Sequence, residues 1–226
     1  IGRIGCFSLQ QSKQISAGDG GICITDDENL YRRMALLSDK GWPRTTGGPR
    51  GHLFLGMNYR MNEITGAVAL AQTRKAGQLV ARRRQTAGQL DRELRGIPGL
   101  LLPETGDTKP AWWNFTFQID EKAFKVDSPS FASALRAEGI PFGCGYIPNA
   151  VFEYPVIAEK ITWGKSQIPW SLPQARKGIR YDIVEYPGAK AFLSKGFVFN
   201  WNEGIAEKDA EDMAKGIRKV TEYYRK

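Results

Sequence analysis

The sequence has one histidine, His52. Ser-His-Asp catalysis or a histidine-rich metal site would have to be built round that single side chain, so both are poor readings. It has three cysteines, Cys6, Cys23 and Cys144, odd in number and scattered, with no C-x-x-C and no metal-ligand spacing. That pattern suits a reduced, cytoplasmic compartment and implies no metal. No apolar run approaches the roughly 20 residues that a membrane span needs. No basic segment leading into an apolar one marks a secretory leader. Internal repeats and low-complexity segments are missing too. Residue 1 is Ile rather than Met, and the chain opens at once into the strand-like Ile4-Gly5-Cys6-Phe7-Ser8, so it reads as the middle of a protein.

What is present is an ordinary globular balance. The chain has 226 residues, 42% hydrophobic and 25% charged, which argues against disorder. The net charge of +8 could attract nucleic acid, an anionic membrane or phosphorylated small molecules. The excess is spread along the chain, so charge does not choose among them.

One lysine stands out. Lys13 lies between hydroxyl and amide side chains in Ser8-Leu9-Gln10-Gln11-Ser12-Lys13-Gln14, just before the turn Gly18-Asp19-Gly20-Gly21. The apolar Ile22-Cys23-Ile24 then reads as a buried strand. Thr25-Asp26-Asp27-Glu28 is an acidic, capped helix start. Leu30, Met34 and Leu37 follow at helical spacing until Gly41. Strand, turn and helix in this order suggest an α/β layer with parallel strands.

Residues 41–56 carry many Gly and Pro and read as a long loop. Asn62 then caps a helix with Ile64, Val68 and Ala71 on one face. A second, longer helix is expected from Lys75 to Arg95, ended by Ile97-Pro98-Gly99, with a linker at 103–110 and a domain boundary near residue 100. Beyond it, Trp113 to Ile119 alternates as a strand. Asp127-Ser128-Pro129 opens a helix. Gly139-Ile140-Pro141-Phe142 leads into another strand, residues 143–176 are irregular, and Phe197-Val198-Phe199 is a short strand. Ile205 to Tyr224 is an amphipathic helix with Ala210, Met213, Ile217 and Tyr224 facing in.

A lysine can act as a covalent nucleophile toward an aldehyde when its surroundings lower its pKa. Pyridoxal phosphate is the commonest such aldehyde. Its phosphate needs hydroxyl and backbone N–H donors, and its pyridine nitrogen needs a carboxylate. Ser8, five residues before Lys13, could supply a hydroxyl. No carboxylate near Lys13 is an obvious partner for the ring nitrogen. Spacing alone leaves a solvated loop lysine as the plain alternative.

The segment Cys6-Phe7-Ser8-Leu9-Gln10-Gln11-Ser12-Lys13, followed by Gly18-Asp19-Gly20-Gly21, resembles the lysine segment of the DegT/DnrJ/EryC1/StrS aminotransferases. The family's pattern is Phe-Ser-Phe-His-x-x-Lys, then Gly-Glu-Gly-Gly. Gly56-Met57-Asn58-Tyr59-Arg60-Met61-Asn62-Glu63 resembles its Gly-x-Asn-x-Arg-Met block. Tyr146-Ile147-Pro148, Tyr154-Pro155 and Asn202-Glu203 fit more loosely. The resemblance implies an α/β fold. Residues 1–100 would be the C-terminal part of the pyridoxal-phosphate-binding large domain of a fold-type I (aspartate aminotransferase-like) transferase, and residues 101–226 a smaller α+β C-terminal domain. It implies transfer of an amino group from glutamate or glutamine to a keto sugar, often nucleotide-linked, or to a keto cyclitol. The enzyme would be a homodimer with no membrane or nucleic-acid partner.

The resemblance also implies roles. Lys13 would hold pyridoxal phosphate as a Schiff base and shuttle the proton. Ser8 would bind the cofactor phosphate, and Asn58 would reach across the dimer to the neighbouring subunit's phosphate. Gln10 stands where most members have His and would hydrogen-bond substrate, as in members acting on cyclitols. Tyr146 would belong to a substrate loop. The family's N-terminal half, which carries the aspartate for the ring nitrogen, is missing, so the main sheet should lack strands.

Each reading has a plainer alternative. Ser8 could merely end a strand, and Asn58 could be a turn residue. Gly18, Gly20 and Gly21 need only permit a tight turn, with Asp19 a turn residue between them. His52 reads as a solvated loop residue. Arg82, Arg83 and Arg84 wrap most of a helical turn and read as solvated surface, and Trp112, Trp113 and Trp201 as core or interface aromatics. A basic binding module for nucleic acid or phosphorylated ligands is the alternative function.

Overall fold

The connection between the first two strands is short, and this decides their direction. In the computed structural model, which describes residues 2–44 and 51–226, β1 (Gly5–Ser8) pairs antiparallel with β2 (Gly21–Ile24). Parallel neighbours need a long crossover, and the twelve residues between these strands fold back as a hairpin loop instead. The parallel pair expected from the strand–turn–helix order is therefore corrected. So is the expected burial, because every residue of β2 is exposed. Phe7, Ile22 and Ile24 share one face and are 55%, 36% and 55% exposed. Among the described residues, nothing covers that face.

Helix α1 (Glu28–Ser38) starts on Asp27, whose carboxylate accepts from Asn29 N and Leu30 N. It is amphipathic, yet none of its residues is buried. The chain then turns at Gly41, with φ 71°. A Cβ there would lie 2.2 Å from the Phe54 carbonyl oxygen, so the turn requires glycine. The expected loop at 41–56 falls partly on residues 45–50, which lie outside the described residues.

Helix α2 (Glu63–Leu94) replaces the two helices expected from sequence. It has 32 residues and is about 48 Å long at the standard rise. Gly66 and Gly77 lower local propensity by about 1 kcal/mol each. No proline interrupts the segment, so the backbone ladder runs through. The chain divides into two compact units, residues 1–81 and 82–226, and α2 passes through the division.

The second unit has the larger core. β3 (Leu100–Leu101), β4 (Asn114–Ile119), β5 (Gly143–Cys144) and β6 (Phe197–Asn200) form an antiparallel sheet in the order β3-β4-β6-β5. Alternation along β4 buries Phe115, Phe117 and Ile119, as expected. Phe117 stacks on Phe197 at 4.6 Å and 7°, and Phe131 of α3 (Ser128–Ala137) meets Phe197 edge-on at 5.7 Å. Each such ring buried contributes about 2–3 kcal/mol. Two smaller helices, α4 (Pro155–Ala158) and α5 (Pro187–Lys195), precede β6. α6 (Glu207–Tyr224) closes the core with Ala210, Ala214, Ile217 and Val220. Met213 and Tyr224 pack only partly against it.

Glu121 ties three segments of this unit together. Its carboxylate accepts from Ser128 N at 2.9 Å, Ser128 Oγ at 2.8 Å and Lys195 Nζ. The bond from Lys195, then those from Ser128, pull its pKa from 4.5 down to about 2. A depressed carboxyl contributes stability that is complete above its unfolded pKa and lost as pH falls through the folded one. Glu121→Gln should therefore cost about 1–2 kcal/mol at neutral pH, and this difference should shrink between pH 4.5 and 2. Urea midpoints of the two proteins across that range measure it.

Candidate active site

The hairpin loop is held by its own backbone. Leu9 N donates to Gly20 O at 2.9 Å, Gln11 N to Gly18 O at 3.0 Å and Ala17 N to Leu9 O at 2.9 Å. Leu9 is fully buried beneath it. Gly18 and Gly20 have φ of 89° and 94°, conformations that other residues rarely take. A Cβ on Gly21 would lie 2.7 Å from Phe7 O, so the strand start also requires glycine.

Ser8, Gln10 and Lys13 are joined on this loop. Gln10 N donates to Ser8 Oγ at 3.3 Å, and Lys13 N donates to Gln10 O at 2.9 Å. The Gln10 carboxamide oxygen accepts from Ser12 N at 2.8 Å and Ser12 Oγ at 2.6 Å. The oxygen of Gln10 thus serves the loop, which leaves its NH2 group as the end available to a ligand. Lys13 is half-buried and Ser8 exposed.

Asn58 is set by the end of α1. Residues 57–59 lie extended beside it, with Met57 N donating to Leu37 O, Lys40 N to Met57 O and Tyr59 N to Ser38 O, each at 2.8 Å. The Asn58 side-chain oxygen accepts from Arg60 Nε at 2.9 Å, and the same Nε lies 3.2 Å from Asp39 Oδ1. Asp39 is buried and also accepts from Lys40 and Arg44 at 2.6 Å each. The hydrogen bonds from Arg44 and then Lys40 hold its carboxyl far below the usual range. With its oxygen committed to Arg60, the exposed Asn58 keeps its NH2 donor, the end suited to an anion.

The two motif blocks meet. A Cβ on Gly20 would come within 3.3 Å of Met61 Cε, and a cleft of about 810 Å³ has Asp19, Gly20 and Gly21 on one wall and Tyr59, Arg60 and Met61 on another. Lys13, Ser8 and Asn58 do not themselves line that cleft. Tyr146 stands exposed in the second unit, its N–H donating to Leu193 O at 3.2 Å.

Several plainer readings change. His52 is exposed but anchored, its Nδ1–H donating to Lys40 O at 2.7 Å, with Trp42 edge-on at 5.1 Å. The arginine run is not simply solvated surface. Arg83 is buried against Glu203 and Trp201 O, and Arg84 donates to Lys109 O and Pro110 O. Burial takes Arg83, one of the three, away from a nucleic-acid surface. Sequence reasoning missed Asp39. Its signal was an acid at a helix C-terminus, where the dipole disfavours one.

The profile of the DegT/DnrJ/EryC1/StrS aminotransferase family matches residues 1–181. The chain belongs to this family. A curated relative, the spore coat polysaccharide biosynthesis protein SpsC of Bacillus subtilis (strain 168), is 25% identical over 97% of the chain and 55% of its own length. The aminotransferase structure from Psychrobacter cryohalolentis aligns with a TM-score of 0.77 at 19% identity, over 99% of this chain and 57% of that one. S. venezuelae DesV, solved in complex with a ketimine intermediate, aligns at 0.73 and 24%, over 98% and 52%. The chain thus spans about half the length of the relatives it matches, and it has the fold of the corresponding part of a fold-type I transferase. DegT/DnrJ/EryC1/StrS enzymes are pyridoxal-phosphate-dependent aminotransferases. No helix among the described residues is long and apolar enough to cross a membrane.

The donor set suits two ends of that cofactor. An amine answers its aldehyde, and a hydroxyl and an amide NH2 answer its phosphate. A carboxylate for the ring nitrogen is not among Ser8, Lys13 and Asn58.

Proposed function

We propose that this chain carries the lysine half of a pyridoxal-phosphate-dependent aminotransferase site, which moves an amino group from glutamate or glutamine to a keto sugar, often nucleotide-linked, or a keto cyclitol. The carrying observation is that the glycine turn that follows the lysine segment and the residues that follow Asn58, far apart in sequence, line one cleft. SpsC's name, a polysaccharide biosynthesis protein, supports the sugar class.

The cofactor supplies an aldehyde and an electron sink when bound. Lys13 would hold it covalently and, once released, carry a proton at its Nζ between substrate and cofactor carbons. Ser8 would donate its hydroxyl to the phosphate, and Asn58 its NH2 to the phosphate held by a partner subunit of a homodimer. Gln10 would donate its NH2 to a substrate hydroxyl, and Tyr146 would stand in the substrate loop. In this reading residues 1–100 belong to the large domain and 101–226 to the small one, which keeps α2 whole although the compact units divide within it. A cytoplasmic location accords with the free cysteines.

The test is covalent trapping. One equivalent of pyridoxal phosphate followed by borohydride should place the pyridoxyl group on Lys13 by peptide mapping, and Lys13→Ala should lose that peptide's label. Label spread evenly over exposed lysines such as Lys208 and Lys215 would overturn the assignment.

A further inference from the structure

Two of the three cysteines, distant in sequence, face each other in the fold. Cys6 and Cys23 are a direct register pair of β1 and β2. Their sulfurs are 3.7 Å apart, and both residues are exposed. Directly opposed residues of an antiparallel pair have Cα atoms about 4.5–5.5 Å apart, inside the range of about 4.4–6.8 Å that a disulfide accepts. Closing the sulfurs to about 2.05 Å therefore needs side-chain rotation and no movement of the strands. Cys23 also lines the open cleft, which gives a small reagent access. We propose that Cys6 and Cys23 are a reversible modification site, oxidised to an intramolecular disulfide by exchange with a small disulfide such as glutathione disulfide.

The exchange runs in two steps between adjacent sulfurs. Cys23 S–H donates to Cys6 Sγ at 3.7 Å. The same bond, followed by burial, raises the pKa of Cys23. Cys6 loses its proton to solvent and its sulfur attacks one sulfur of glutathione disulfide. A Cys6–glutathione bond forms and one glutathione thiolate leaves. Cys23 gives its proton to that thiolate and attacks the Cys6 sulfur. The Cys6–glutathione bond breaks, and the second glutathione thiolate leaves and takes a proton from solvent. The chain loses two hydrogens, and glutathione disulfide is reduced to two thiols. Cys144 is the internal control. It lies half-buried in the second unit, and burial chiefly raises its pKa.

The bond would close a ring round the loop that carries Ser8 and Lys13, so thiol redox state would decide whether that loop's ends are tied. The pairing owes nothing to the cofactor reading and stands or falls separately.

The test treats the reduced chain with glutathione disulfide, alkylates remaining thiols and digests with trypsin. Cleavage after Arg3, Lys13 and Arg32 puts the two cysteines on separate peptides. The expected product is those two peptides joined, two hydrogens short of their summed mass, separable by dithiothreitol, with Cys144 alkylated. Cys23→Ser should stop at a glutathione adduct on Cys6. Alkylation of both Cys6 and Cys23 after treatment, separate glutathione adducts on each, or links only between two copies would overturn the proposal.

Discussion

Lys13→Ala is expected to lower amino-group transfer by the complete enzyme by on the order of 10⁴-fold or more, because one side chain is asked both to hold the cofactor and to move the proton. Lys13→Arg should be as inactive, since a guanidinium keeps the charge but cannot form the Schiff base. The backbone of the loop should survive both changes. Lys13 enters it through its N–H to Gln10 O, and the loop's closure rests on Leu9, Gln11 and Ala17. Thermal midpoints should therefore stay near the parent value while turnover disappears. Retention of more than a tenth of the parent rate by Lys13→Ala would remove the lysine from the chemistry.

Ser8→Ala gives the contrast that makes the first result specific. On the proposed reading it would delete one donor to the cofactor phosphate, an expected loss of about 1.5 kcal/mol or roughly tenfold in cofactor affinity. A lysine acting only as a phosphate counter-charge would show the same modest loss on removal. The gap between the two variants thus reports whether Lys13 forms a bond or merely neutralises charge.

The lysine loop was legible because its features are local. Glycines at positive φ, a serine closing β1 and the small apolar strand after them are all set by residues within the same segment. Direction and burial of the strands were not local. Ile22-Cys23-Ile24 has the composition of a buried strand, yet burial depends on what packs against it, and the described chain brings nothing to that face. The helix at 63–94 was misread as two because Gly77 and the polar residues round it weaken the apolar stripe, whereas the backbone ladder needs only the absence of proline and of a competing cap. The orientation of Asn58 was invisible as well. It depends on Asp39, Arg44 and Arg60, which meet only after the chain folds back on the end of α1. The facing cysteines were hidden for the same reason, since 17 positions separate them in sequence and one register pair joins them.

Arg83 was read as one of three solvated arginines, and its replacement should have the largest effect on stability of any polar residue discussed. Its side chain is 6% exposed, and its partner Glu203 is 39% exposed. The fork donates Nε at 3.1 Å and Nη2 at 2.7 Å to Glu203, and Nη1 at 2.5 Å to Trp201 O. Trp201 is itself fully buried, its indole N–H donating to Thr86 Oγ1 at 3.0 Å. Arg83→Met fills similar space but leaves the Trp201 carbonyl without this donor and Glu203 without its counter-charge. The expected cost is about 3 kcal/mol, or roughly 6–12 °C in Tm for a chain of this size. Arg83→Lys should recover only part of it, since an ammonium cannot reproduce the fork. Arg84→Met, which loses only exposed bonds to Lys109 O and Pro110 O, should cost under about 1 kcal/mol. The acid limb of the pH profile gives an independent check. Burial raises the pKa of Glu203, while its own backbone N–H and Arg83 lower it further, for a net depression below 4.5. The stability held by that ionised carboxylate is complete above pH 4.5 and is lost as pH falls through the depressed value. The parent should therefore lose more stability than Arg83→Met as the solution is acidified below that point, so the gap between their midpoints narrows. Equal midpoints at neutral pH would return Arg83 to the solvated surface.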